Sequence, residues 1–189
     1  MNFMNFINKN KILLTSLSLI VSLGGVNVLE VIAGTFSIKA ISAQIARRTN
    51  VPILLPSEQV VEQYKFDRSE SIYTFLDTYS DTDYSVRFNN RPGEVGNVAF
   101  RFSVSAKRGK DFEKPRQDPD PRYAATIKQV KLSGNSNGML TSWCGGTACW
   151  TKVQWKSNGV LYDVTAKQRQ PETALAIANS AIKSGNRQP

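Results

Sequence analysis

Val98, Phe100, Phe102, Val104 and Ala106 occupy alternate positions, with Arg101, Ser103 and Ser105 between them. A period of two predicts a half-buried antiparallel strand with those five residues on one face. Tyr84, Val86 and Phe88 repeat the pattern around Ser85 and Arg87, and residues 89–93 (Asn-Asn-Arg-Pro-Gly) supply the turn between the two strands. Weaker strand signals lie at 72–76 and 125–132, where Ile127 and Val130 are out of phase and predict a bulge. The strongest local signal is Asn158-Gly159, the dipeptide favoured by a two-residue type I′ turn because both positions need positive φ. Pairing outward from it sets Trp155 opposite Tyr162 and Val153 opposite Val164, with Thr151 and Ala166 beyond them on the same face. Turn chemistry and hydrophobic alternation demand the same register. A helix follows over 171–183: Pro171 suits its first position and Glu172 its positive end, and Lys183 and Gly185 mark its stop. Its apolar stripe is Leu175, Ala178 and Ile182, flanked by Ala174, Ile177 and Ala181. Together these elements predict an α+β fold, an antiparallel, strongly twisted β-sheet with the C-terminal α-helix packed on one face.

The chain start reads differently. Lys9 and Lys11 precede an uncharged run, Ile12 to Leu29, rich in Leu, Ile and Val and followed by small residues. Positive start, apolar middle and small-residue end form a secretory signal pattern over 1–43. The expected processing point follows Ala43 in Ile41-Ser42-Ala43, with Val31-Ile32-Ala33 a second candidate. The competing reading is a retained N-terminal anchor, since the run is near the lower length limit for spanning a bilayer. Thr15, Ser16, Ser18, Ser22 and Asn27 dilute it for that purpose. The expectation is an exported protein, periplasmic or extracellular, that touches the membrane only transiently through its leader. A single domain over 44–189 follows, with a charged loop at 107–122 that mixes six basic residues, four acidic ones and three prolines.

The chain holds 24 Lys and Arg against 15 Asp and Glu and no His. Lacking His, it has no Ser-His or Cys-His nucleophile, no His-ligated zinc and no imidazole acid or base. Two cysteines cannot complete a Cys₄ zinc site, and no P-loop, Rossmann fingerprint or EF-hand pattern occurs, so no metal and no cofactor is expected. Loss of 1–43 removes three basic residues and one acidic residue and leaves a net +7. That charge favours anionic polymers or glycans. Export separates the protein from nucleic acid, which is not an expected partner.

An oxidising compartment makes a disulfide the default for Cys144 and Cys149, whose four intervening residues include two glycines. The closed hairpin sets Trp143 opposite Trp150. Alternation then puts Trp150 with Lys152, Gln154 and Lys156 on the face away from Trp155. Trp143, Trp150, Lys152, Gln154 and Lys156 are the candidate ligand-binding residues, because indole faces stack on sugar rings and ammonium groups hold anions. A one-residue slip would exchange the faces. Asp77, Asp81 and Asp83 lack the alternation, glycine and distal Glu of a calcium loop and read as a solvated turn. Asp163 and Glu172 show no spacing that nominates them as a catalytic pair, so no catalytic residue is named.

Trp155, Gly159 and Tyr162, followed by Leu175, Ala178, Asn179, Ser180 and Ile182, resemble the end of a group of secreted or membrane-tethered bacterial domains of unknown function. In these a W…G..Y hairpin precedes a helix ending in an A.S.I-like run. Cyanobacterial-type exported members add an upstream VP.LLPS segment and a cysteine pair, here residues 51–57 and Cys144/Cys149. The resemblance implies an uncharacterised exported module and supplies no catalytic residues. The expected function is non-catalytic binding of a partner, a cell-wall polymer or an apolar ligand in the envelope or outside the cell. The alternatives are a His-free hydrolase using carboxylates, or a sensor or structural module bound to an envelope protein.

Overall fold

The computed structural model describes residues 36–64, 71–93, 96–115, 120, 124–145, 148–167 and 171–188. The uncharged run 12–29 and the alternative processing point at Ala33 lie outside them. Seven strands form one antiparallel sheet: β1 (Tyr73–Ser80), β2 (Asp83–Asn89), β3 (Phe100–Arg108), β4 (Thr126–Lys131), β5 (Asn137–Gly145), β6 (Ala148–Ser157) and β7 (Val160–Ala166). Helices α1 (Ile38–Ala46) and α2 (Glu58–Gln63) precede it and α3 (Pro171–Ser184) follows and packs on one face, completing the α+β fold. The strand order is β1-β2-β3-β7-β6-β5-β4, two meanders joined through β3 and β7.

The hairpin register is the one demanded by Asn158-Gly159. Trp155 pairs with Tyr162, Val153 with Val164 and Thr151 with Ala166, and both turn residues have positive φ, 49° and 73°. Tyr84, Val86, Phe88, Phe102, Val104 and Ala106 extend this face and are buried. Two expectations need correcting. Val98 is 69% exposed, because β3 begins only at Phe100. β4 pairs with β5 in unbroken register, with Ile127 facing out; the bulges lie between Leu76 and Thr78 and between Phe88 and Asn89. The helix stripe is also rotated from the expected one. Ala174, Ile177, Ala178 and Ala181 face the sheet, and Leu175 and Ile182 sit at its margin. Three of these four residues are alanines, so the buried face of α3 presents mainly small side chains to the core.

The boundary expected at 43/44 falls inside α1. Ile38, Ile41 and Ile45 recur at helical spacing and are buried in the core, and the Phe36 ring meets Phe88 edge-on at 5.9 Å. Ser37 caps this helix by accepting from the Ala40 N–H, and Glu58 Oε1 accepts from the Ile38 N–H at 2.9 Å. The folded unit therefore starts no later than Phe36. The extended segment after α1 buries Val51, Ile53 and Leu55 in alternation. The Arg187 N–H donates to the Ile53 carbonyl, and Asn186 Oδ1 accepts from the Ile53 N–H. The chain end thus ties down the VP.LLPS segment, whose role here is packing. No helix of the described residues is long and apolar enough to cross a membrane.

Candidate functional site

The strand order creates the site. β3 ends in the middle of the sheet and β4 lies at its far edge, so the connection must travel past β7, β6 and β5. Its first part, residues 109–115, crosses the face opposite the helices. That face carries Lys107 from β3 and Lys152 and Lys156 from β6, each out of phase with the core residues. Glu113 accepts from Lys107 Nζ at 3.1 Å and from Lys152 Nζ at 2.6 Å, and Asp111 pairs with Lys156. Phe112 lies 5.8 Å from the Lys156 ammonium. The loop is thus strapped to the sheet by alternating charge, and the Lys152 hydrogen bond holds the Glu113 carboxyl below its ordinary range.

Between strap and sheet lies a cleft of about 220 Å³. Glu113, Lys114 and Pro115 form its outer wall, and Ala125, Thr141, Trp143 and Lys152 its floor. Of the five residues nominated from the sequence, Trp143 and Lys152 line this cleft. Trp143 does pair with Trp150, and the Cys144–Cys149 disulfide closes the hairpin beside them, Cα atoms 4.0 Å apart. Trp150, however, packs its ring on Phe100 at 5.4 Å. Gln154 is fully buried and Lys156 is committed to Asp111.

A buried polar row runs beneath the strap. Gln154, Asp163 and Ser105 are cross-strand neighbours on β6, β7 and β3, and half-buried Ser85 continues the row on β2. Ser105 Oγ donates to Asp163 Oδ2, and Thr165 Oγ1 lies 3.5 Å from its Oδ1. Burial pushes the Asp163 carboxyl above its ordinary range, against the lowering effects of Ser105 and Lys152. Among the described residues the Gln154 amide meets no hydrogen-bond partner through either Oε1 or Nε2, a condition that costs about 1–3 kcal/mol for a buried group. Asp163 was readable from the hairpin, since the Asn158-Gly159 register sets it opposite Gln154. Ser105 and Glu113 were not, because only the distant β3–β7 pairing and the strap bring them there.

No family model, curated protein or solved structure matches this chain. The residues themselves carry the reading. The three aspartates near the β1–β2 turn are separately engaged: Asp77 pairs with Arg87 at 2.9 Å, Asp83 accepts from Ser80 Oγ at 2.8 Å, and the Asp81 carbonyl accepts from the Asn50 N–H. Among the described residues no group of three acidic or sulfur side chains is placed to hold a metal ion.

The raised Asp163 carboxyl gives a stability prediction with a definite sign. The folded protein holds this proton more tightly than the unfolded chain, so the contribution is fully present below the ordinary value of 3.8 and is lost as pH rises through the folded value. Asp163→Asn keeps the shape and an acceptor for Ser105 without the buried charge. Urea titrations from about pH 3 to about pH 8 should show the variant gaining on the parent as pH rises and levelling off above the folded value. A difference independent of pH would mean that Asp163 ionises as it does in the unfolded chain.

Proposed function

We propose that the protein is an exported, non-catalytic binding module that holds a glycan segment of a cell-wall polymer in the cleft between strap and sheet. One observation carries this reading: the half-buried Trp143 ring lines the cleft together with the Thr141 hydroxyl and the Lys152–Glu113 pair. An aromatic face beside a hydroxyl and a fixed donor–acceptor pair matches a sugar ring, which has apolar faces and a polar rim. A glycan is favoured over a bare polyanion because Lys152 and Lys107 share the Glu113 carboxylate and Lys156 is paired with Asp111. The uncharged run at the chain start and the disulfide support export.

Co-sedimentation with purified cell-wall polymer from the producing cell, at low and high salt, tests the proposal. Pelleting should resist salt. Trp143→Ala should weaken it about fivefold to tenfold, a loss of roughly 1 kcal/mol of stacking. Trp150→Ala, whose ring is packed on Phe100, should leave it nearly unchanged. Pelleting abolished by salt would reduce the interaction to surface charge.

A carboxylate hydrolase is the second reading, favoured by the opposite displacement of Asp163 and Glu113, one toward the acid and one toward the anion, beneath and within the same strap. It requires release of new reducing ends from the polymer that disappears in Asp163→Asn.

A further inference from the structure

Glu113 is gripped at both of its oxygens. Oε1 accepts from Lys107 Nζ at 3.1 Å, and Oε2 accepts from Lys152 Nζ at 2.6 Å. Lys107 stands two residues past Ser105 on β3, and Lys152 two residues before Gln154 on β6. Ser105 and Gln154 are the two cross-strand neighbours of Asp163 on β7, so the lysines bracket Asp163 from opposite corners. Their long side chains converge from those corners on a single carboxylate, which makes a cradle with one donor for each oxygen. Asp163 beneath them accepts from Ser105, and burial disfavours its charged form. The anion that the lysines hold is therefore the one above the sheet. That anion is weakly held. The three side chains are 23% to 43% exposed, and ion pairs open to water contribute little. Glu113 and Lys152 also line the open cleft, beside Thr141 and Trp143.

We propose that Lys107 and Lys152 are the seat for a ring-borne carboxylate of an acidic glycan, of the uronic-acid class, and that Glu113 fills this seat until the glycan displaces it. The proposal rests on the glycan reading of the cleft and names the sugar class. Trp143 and Thr141 meet the sugar ring, and the two lysines take its carboxylate. The strap is thus a built-in competitor. Glu113 is tethered to the sheet through its own chain, which gives it a high effective concentration at the lysines. A free carboxylate has no ring contact to offset that advantage, so simple anions do not displace it. A uronic acid does, because stacking on Trp143 holds its carboxylate beside the seat. One carboxylate replaces another, so the number of ion pairs is unchanged and the salt resistance of binding is kept.

The test titrates ¹⁵N-labelled full-length protein with trigalacturonate and with its methyl triester, which carries the same rings without the charges. The acid should move the Trp143 indole and Glu113 amide resonances, and the ester the indole alone. Glu113→Gln removes the competitor at an exposed position. It should tighten trigalacturonate about tenfold and leave the triester within about twofold. Lys107 is not among the described residues that line the open cleft, so it separates the seat from general surface charge. In Lys107→Met protein, adding Glu113→Gln should give no gain. A gain of equal size with and without Lys107, an equal response of acid and ester to Glu113→Gln, or no saturable binding of the acid by Glu113→Gln protein would each overturn the proposal. Trp143→Ala reports separately on the glycan reading. If it weakens neither probe while the Lys107-dependent gain persists, ring stacking falls and the carboxylate seat stands. If it weakens both probes equally and the gain is absent, the glycan reading stands and the seat falls.

Discussion

A chain beginning at Gln44 is expected to lose its cooperative fold, whereas one beginning at Gly34 should keep it. The shorter form lacks Phe36, Ile38 and Ile41. The two isoleucines are 2% and 1% exposed, and the Phe36 ring packs on Phe88. Removing a buried Ile side chain alone costs about 2–5 kcal/mol. Two such losses, with the Ser37 cap and the Ile38–Glu58 hydrogen bond, approach the whole stability of a typical domain, about 5–15 kcal/mol. Thermal melts and proton-shift dispersion of the two forms check this directly. The same reasoning bears on processing. If the leader is removed, a protease cutting after Ala43 would destroy the domain it releases, while a cut after Ala33 in Val31-Ile32-Ala33 leaves α1 whole. If the chain is processed on export, mass spectrometry of the mature form should find Gly34 at its N-terminus. A Gln44 form that melts within a few degrees of the longer one would show that α1 contributes little.

Trp155→Ala is the point substitution with the largest expected effect, about 3–5 kcal/mol, because it removes the largest fully buried side chain among the described residues and leaves Tyr162 without its stacking partner. For a domain of this size the melting temperature should fall by about 10 °C or more. Trp150→Ala, at a half-buried position, should cost far less. Equal losses would mean that the Phe100–Trp150 contact matters to the fold as much as the central core does. The contrast also guards the binding experiments, since Trp143 and Trp150 can be changed without touching the core.

The sequence by itself determined the features set by local rules. The Asn158-Gly159 turn, alternating residues on β6 and β7, the disulfide and the C-terminal helix are each specified within about twenty residues, where backbone geometry and hydrophobic period act together. From them followed the α+β class and the side of the sheet on which Lys152 and Gln154 lie. The tertiary structure alone decided the rest. The isoleucines of α1 are indistinguishable by composition from the apolar run before them, and only their burial in the common core marks them as part of the domain. Ser105 joins Asp163 through a pairing 58 residues apart in the chain, and Glu113 reaches Lys152 because β3 and β4 lie at different places in the sheet. Such contacts depend on the strand order, which no local pattern encodes, and they alone put Trp143 in a cleft and cover Gln154.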